Sequence, residues 1–68
     1  MQAVSGKSTI KALVKLGFAV RLGKGDHVVL QKNHRVFSIP LHKTLKKGTL
    51  RKILKQAGIS VEEFNEAL

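Results

Sequence analysis

The sequence has no cysteine, tryptophan or tyrosine, one proline, three phenylalanines and four acidic residues. Without cysteine there is no disulfide framework, no thiolate zinc site and no cysteine nucleophile. The acids exclude more. Three of them, Glu62, Glu63 and Glu66, lie in the last seven residues, leaving Asp26 alone in the first sixty-one. A pair of carboxylates flanking a scissile bond is therefore not available. His27, His34 and His42 stand seven and eight residues apart with no thiol near them, which matches no patterned zinc spacing. No metal and no cofactor are expected. Long apolar runs are missing as well: Lys7, Lys11 and Lys15 interrupt the first segment, so nothing approaches the roughly 18 residues of a membrane span. That segment also lacks the basic-then-apolar order of a signal peptide. The expectation is a soluble cytoplasmic protein that does not engage membranes.

What is present is positive charge on a chain of 68 residues, one domain over 1–68, of which 43% is apolar. That is too hydrophobic for a disordered basic tail, yet so short a chain buries only roughly 60% of its surface and cannot enclose a deep pocket. Thirteen Lys and Arg against four acids give +9, and residues 1–61 hold thirteen positive charges and one negative, a surplus of twelve. A folded cationic domain is expected to meet polyanions, nucleic acid first and an acidic protein second. Phe18, Phe37 and Phe64 are best assigned to the core. Base stacking on the protein is then not expected, and binding should be led by phosphates and shape.

Periodicity and turn residues divide the chain into short elements. Ile10, Leu13 and Val14 recur at helical spacing from Ser5, an N-cap, to Leu16, with Gly17 ending the helix. Phe18–Leu22 alternates as a half-buried strand, and Gly23-Lys24-Gly25-Asp26 reads as a turn. His27–Lys32 is a second strand with Val28 and Leu30 on one face and His27, Val29 and Gln31 on the other. Asn33-His34 turns into a third strand, Arg35–Ile39, closed by Pro40. After a basic connector, Leu50, Ile53, Leu54 and Ala57 define the buried arc of a helix from Gly48, capped by Gly58. Ser60 and Glu63 form a capping box for a short last helix. The order predicts an α+β fold: a two-layer α-β-β-β-α domain with a short C-terminal helix, similar in shape to a double-stranded-RNA-binding domain, with the other sheet face left open.

Gly6-Lys7-Ser8 has the look of the end of a phosphate-binding loop, but the glycine required five positions earlier is Met1. What remains is histidine among cations. RNA can be cleaved without a metal: a base removes the 2′-OH proton, the oxygen attacks its own phosphate, and an acid protonates the leaving 5′ oxygen. Histidine suits both transfers. His27 opens a strand on the uncovered face, with Arg21 and Lys24 near it in sequence. His34, in a turn, reads as an ordinary surface residue, and His42 leads into the basic connector. There Lys43, Lys46, Lys47, Arg51, Lys52 and Lys55 place six cations in thirteen residues. The helix N-terminus at Gly48 and Thr49 adds backbone donors for phosphate. The residues alone rank RNA binding above catalysis.

Three runs then carry a resemblance: Gly23-Lys24-Gly25-Asp26-His27; Ile39-Pro40-Leu41-His42; and Leu45-Lys46-Lys47-Gly48-Thr49-Leu50-Arg51-Lys52-Ile53-Leu54-Lys55-Gln56-Ala57-Gly58-Ile59. Together with Leu16-Gly17-Phe18, and in this order, the chain from about Ser5 to Phe64 resembles the HicA toxin family. The resemblance implies a small endoribonuclease of toxin–antitoxin systems that degrades messenger RNA, arrests translation and is held inactive by a HicB antitoxin. The family's catalytic histidine falls on His27. The residue before it, usually serine, is Asp26 here, and the second histidine that often follows is Val28. The expected RNA-binding residues are Arg21, Lys24, Arg35, His42, Lys43, Lys46, Lys47 and Arg51. With the resemblance, catalysis ranks above a non-catalytic RNA-binding module of the same shape.

Overall fold

A computed structural model describes residues 4–68, apart from the side chain of Lys24. Its elements run α1 (Gly6–Lys15), β1 (Ala19–Lys24), β2 (His27–Lys32), β3 (Arg35–Pro40), α2 (Lys47–Ala57) and α3 (Val61–Ala67). Each boundary has a local cause. Ser5 Oγ accepts the Ser8 N–H at 3.1 Å, capping α1. The buried Thr9 hydroxyl is satisfied by donating to the Ser5 carbonyl at 2.9 Å. Gly17, at φ +103°, turns the chain out of α1 so that the Phe18 N–H reaches the Leu13 carbonyl at 3.0 Å. At the far end of α2, Gly58 is left-handed and the Ile59 N–H bonds the Leu54 carbonyl at 3.0 Å. The Ser60–Glu63 capping box opens α3.

The strands form an antiparallel sheet in the order β1-β2-β3, and the helices lie against one face of it. Leu13, Leu30, Phe37, Ile39, Leu50, Leu54 and Phe64 make the centre of the core, and Phe18 meets Phe37 edge-to-face at 5.4 Å. The α+β architecture and the assignment of all three phenylalanines to the core agree with the sequence reading.

The first strand departs from that reading in two ways. Gly23 and Lys24 belong to β1, so the turn is only Gly25-Asp26, with Gly25 at φ +61°. The expected alternation also breaks inside the strand. Val20 pairs with Leu30 but Leu22 pairs with Val29, so Arg21 is an extra residue, a β-bulge. The bulge moves Leu22 to the open face, where it is 67% exposed, and Val20 stays 54% exposed on an edge strand beyond the helices' cover.

Lys32, to which the sequence reading gives no role, and Arg35, expected to bind RNA, are both committed to helix ends. Lys32 Nζ donates to the Leu16 carbonyl at 3.0 Å and sits 5.6 Å from the centre of the Phe18 ring. Arg35 Nη1 donates to the Gln56 carbonyl at 2.9 Å. Positive charge at a helix C-terminus is favourable by about 0.3–1 kcal/mol.

Candidate nucleic-acid interface and its histidine

The connector from Leu41 to Lys46 is tied down at three points. The Leu41 N–H donates to the Asp26 carbonyl at 2.6 Å, the Gly6 N–H donates to the His42 carbonyl at 2.9 Å, and the Leu45 N–H donates to the Val4 carbonyl at 2.7 Å. Leu45 is buried as the hydrophobic anchor between them. Gly6 makes this possible: a Cβ there would overlap the Pro40 carbonyl oxygen and stand 3.0 Å from Leu41 Cα. The glycine dismissed as a false phosphate-loop signal thus lets α1 lie directly against the connector.

This scaffold brings three segments together. Asp26 and His27 come from the β1–β2 turn, His42 and Lys43 from the connector, and Ser5 and Lys7 from the start of α1. Pairing of His27 with Pro40 sets His27 on the open face with Val29, Gln31, Val36 and Ser38. Its Nδ1 lies 2.9 Å from Asp26 Oδ1, with both side chains more than half exposed. The Asp26 carboxyl is held below its usual 3.8 by its own backbone amide first, then by the hydrogen bond and charge of His27, with a smaller effect from the charge of His42. An ionised carboxylate only accepts hydrogen bonds, so the imidazole donates to it from Nδ1, and Nε2 is the ring nitrogen not engaged with Asp26. Sequence reading left the role of Asp26 open; its place is at the back of the imidazole, where it sets the tautomer.

The cations divide into groups. His42 and Lys43 line a recess of about 330 Å³ with Ser5, Lys7 and Leu41. Lys46 and Arg51 line an open concave surface on α2 with Gly48, Thr49, Lys52 and Lys55. Lys47 is exposed in the first turn of α2, a helix that starts without a side-chain cap and without an acid in its first turn. Arg21 is exposed at the bulge. The Lys24 backbone pairs with His27, while its side chain lies outside the described residues. Arg35 is not with the others. It pairs with Lys32 at the opposite end of the β2–β3 hairpin from His27 and is engaged at the end of α2. His34, exposed in that distant turn, is equally remote.

Sequence reading omitted Lys7, Lys52 and Lys55 from the site. For the last two the signal was present, since they share the exposed face of α2 with Arg51. For Lys7 there was none: it looked like one of three equivalent charges on α1, and only the docking of α1 on the connector singles it out.

Among the described residues, no three histidine or acidic side chains are grouped to hold a metal ion, and no helix is long and apolar enough to cross a membrane. Comparison with individual curated proteins returned no match. Comparison with family sequence models did: the family described as HicA toxin of bacterial toxin–antitoxin matches residues 6–59. The matched stretch starts at the glycine that seats α1, takes in the whole sheet and the Asp26–His27 pair, and ends just past α2; over that span the chain belongs to the HicA toxin family.

Proposed function

We propose that this toxin-family protein is an endoribonuclease that degrades messenger RNA and so inhibits translation, with His27 as its proton-transfer residue. The observation that carries the reading is the Asp26–His27 pair on an open sheet face bordered by cations. His27 Nε2 takes the proton from a ribose 2′-hydroxyl. That oxygen attacks the adjacent phosphorus and the bond to the 5′ oxygen breaks, leaving a 2′,3′-cyclic phosphate and a 5′-hydroxyl. The leaving oxygen takes its proton from a neighbouring acid, the part proposed for His42 or a lysine beside it. Lys43 and the α2 cations Lys46, Lys47 and Arg51 offset the charge that builds on the phosphate and hold the strand, with Arg21 and Lys24 on the β1 side. Arg35 is the expected contact that the geometry favours least. The chemistry needs no metal, because the substrate supplies its own nucleophile. A HicB-like antitoxin is the proposed partner. Leu22 and Val36, exposed on the face that carries His27, give such a partner apolar surface to cover along with the histidine.

The test is cleavage of a messenger RNA by wild type and His27→Ala, each with and without a chelator. Wild type should cut in both conditions and leave cyclic-phosphate ends. His27→Ala should be slower by about 10²–10⁴-fold with an unchanged fold. Full activity in the variant, or loss of wild-type activity on chelation, overturns the mechanism. RNA binding with no cleavage at stoichiometric protein supports the non-catalytic module instead.

A further inference from the structure

The recess between α1 and the connector contains a side chain to which the proposed reaction gives no part. Lys7 is exposed there beside Ser5, Leu41, His42 and Lys43, and no carboxylate is among the lining residues. The nearest acid in the site, Asp26, is turned to His27. The recess does not depend on a mobile loop. The Gly6–His42 and Leu45–Val4 backbone bonds clamp α1 and the connector to each other, and the Leu41–Asp26 bond ties the same connector to the turn that presents His27. Lys7 is in the first turn of α1, where a cation opposes the helix dipole and no acid compensates it. The lysines four and eight residues further along α1 are placed differently: Lys11 and Lys15 line a groove with Ser8, Ala67 and Leu68. The three lysines are alike in sequence and unlike in setting.

We infer that Lys7, at the α1 side of the recess it shares with His42 and Lys43, is a second phosphate-binding subsite that takes a phosphodiester of the RNA strand next to the one reacting at His27. The inference rests on the RNA reading above and extends it to α1, so that the strand runs from the sheet face across the connector to the first turn of that helix.

The test uses a fluorescein-labelled single-stranded RNA with every 2′-hydroxyl methylated, which can bind but not be cleaved, and anisotropy over a range of salt. Lys7→Ala should weaken binding about tenfold and flatten the salt dependence by about 0.7 in slope, one phosphate's worth on a single strand. Lys7→Arg should restore both. Lys11→Ala should leave both near wild type. Equal losses from the two alanine variants, or none from Lys7→Ala, overturn the subsite. Failure of wild type to cleave the unmethylated RNA overturns the endoribonuclease reading alone, and the contrast between Lys7 and Lys11 still decides the subsite.

Discussion

At the scale of single residues, the Asp26–His27 contact is where sequence and chemistry meet. Because the carboxyl is held below 3.8, Asp26 is an anion at neutral pH and loses its charge only as pH falls through that lowered value. The sign follows: the contact is present above the ordinary carboxyl range and lost below it. Asp26→Asn is expected to lower the maximal rate of RNA cleavage, because an amide can turn either its oxygen or its NH2 group to Nδ1 and so leaves the imidazole in either tautomer. A variant that cleaves as fast as wild type would contradict the assigned role. Arg35 gives a second contrast. With its guanidinium on the Gln56 carbonyl, Arg35→Ala should cost about 0.5–1.5 kcal/mol in urea unfolding. Its salt slope for RNA binding should match wild type; a slope reduced by about 0.7 would return Arg35 to the interface.

Among the elements, two glycines separate close packing from open space. A methyl group at Gly6 meets the Pro40–Leu41 backbone, which cannot retreat as a flexible side chain would. Gly6→Ala should destabilise by roughly 1–3 kcal/mol despite alanine's better helix propensity. Gly48 is also in the first turn of its helix, but a methyl group there would meet nothing within 4 Å. Gly48→Ala should stabilise by about 0.4–1 kcal/mol. Opposite shifts in the urea midpoint at an unchanged slope check the pair. A Gly6→Ala protein as stable as wild type would mean that α1 is not seated on the connector as described.

For the whole molecule, the charge distribution governs association. The acids Glu62, Glu63 and Glu66 lie on or beside the exposed side of α3 and form no ion pair among the described residues, while the cations of the connector and α2 face solvent together. Such an arrangement repels itself and is relieved by a polyanion. Affinity for single-stranded RNA should fall linearly with salt on a logarithmic plot, and five phosphate contacts correspond to a slope of about −3.5. A slope near zero would exclude phosphate-led binding. Because ligands that bind only the folded state stabilise it, the uncleavable RNA should also raise the melting temperature.

Much of this was legible along the chain. Helix period, strand alternation in β2 and β3, the Ser5 cap and the Ser60–Glu63 box are local properties, set by neighbours within four residues, so the α+β order followed from sequence. So did the position of His27 opposite Leu30's face, because strand parity alone decides it, and so did the excess of cations, which is composition. What local pattern cannot contain is contact between distant segments. The bulge at Arg21 depends on pairing with β2, the commitment of Lys32 and Arg35 depends on which helix ends pack beside them, and the importance of Gly6 and Lys7 depends on the connector lying across α1. Sequence by itself determined a basic α+β domain with a candidate histidine. Only the tertiary structure decided which cations stand beside that histidine, because they come from the connector and α1, segments distant in sequence that backbone hydrogen bonds bring together across the fold.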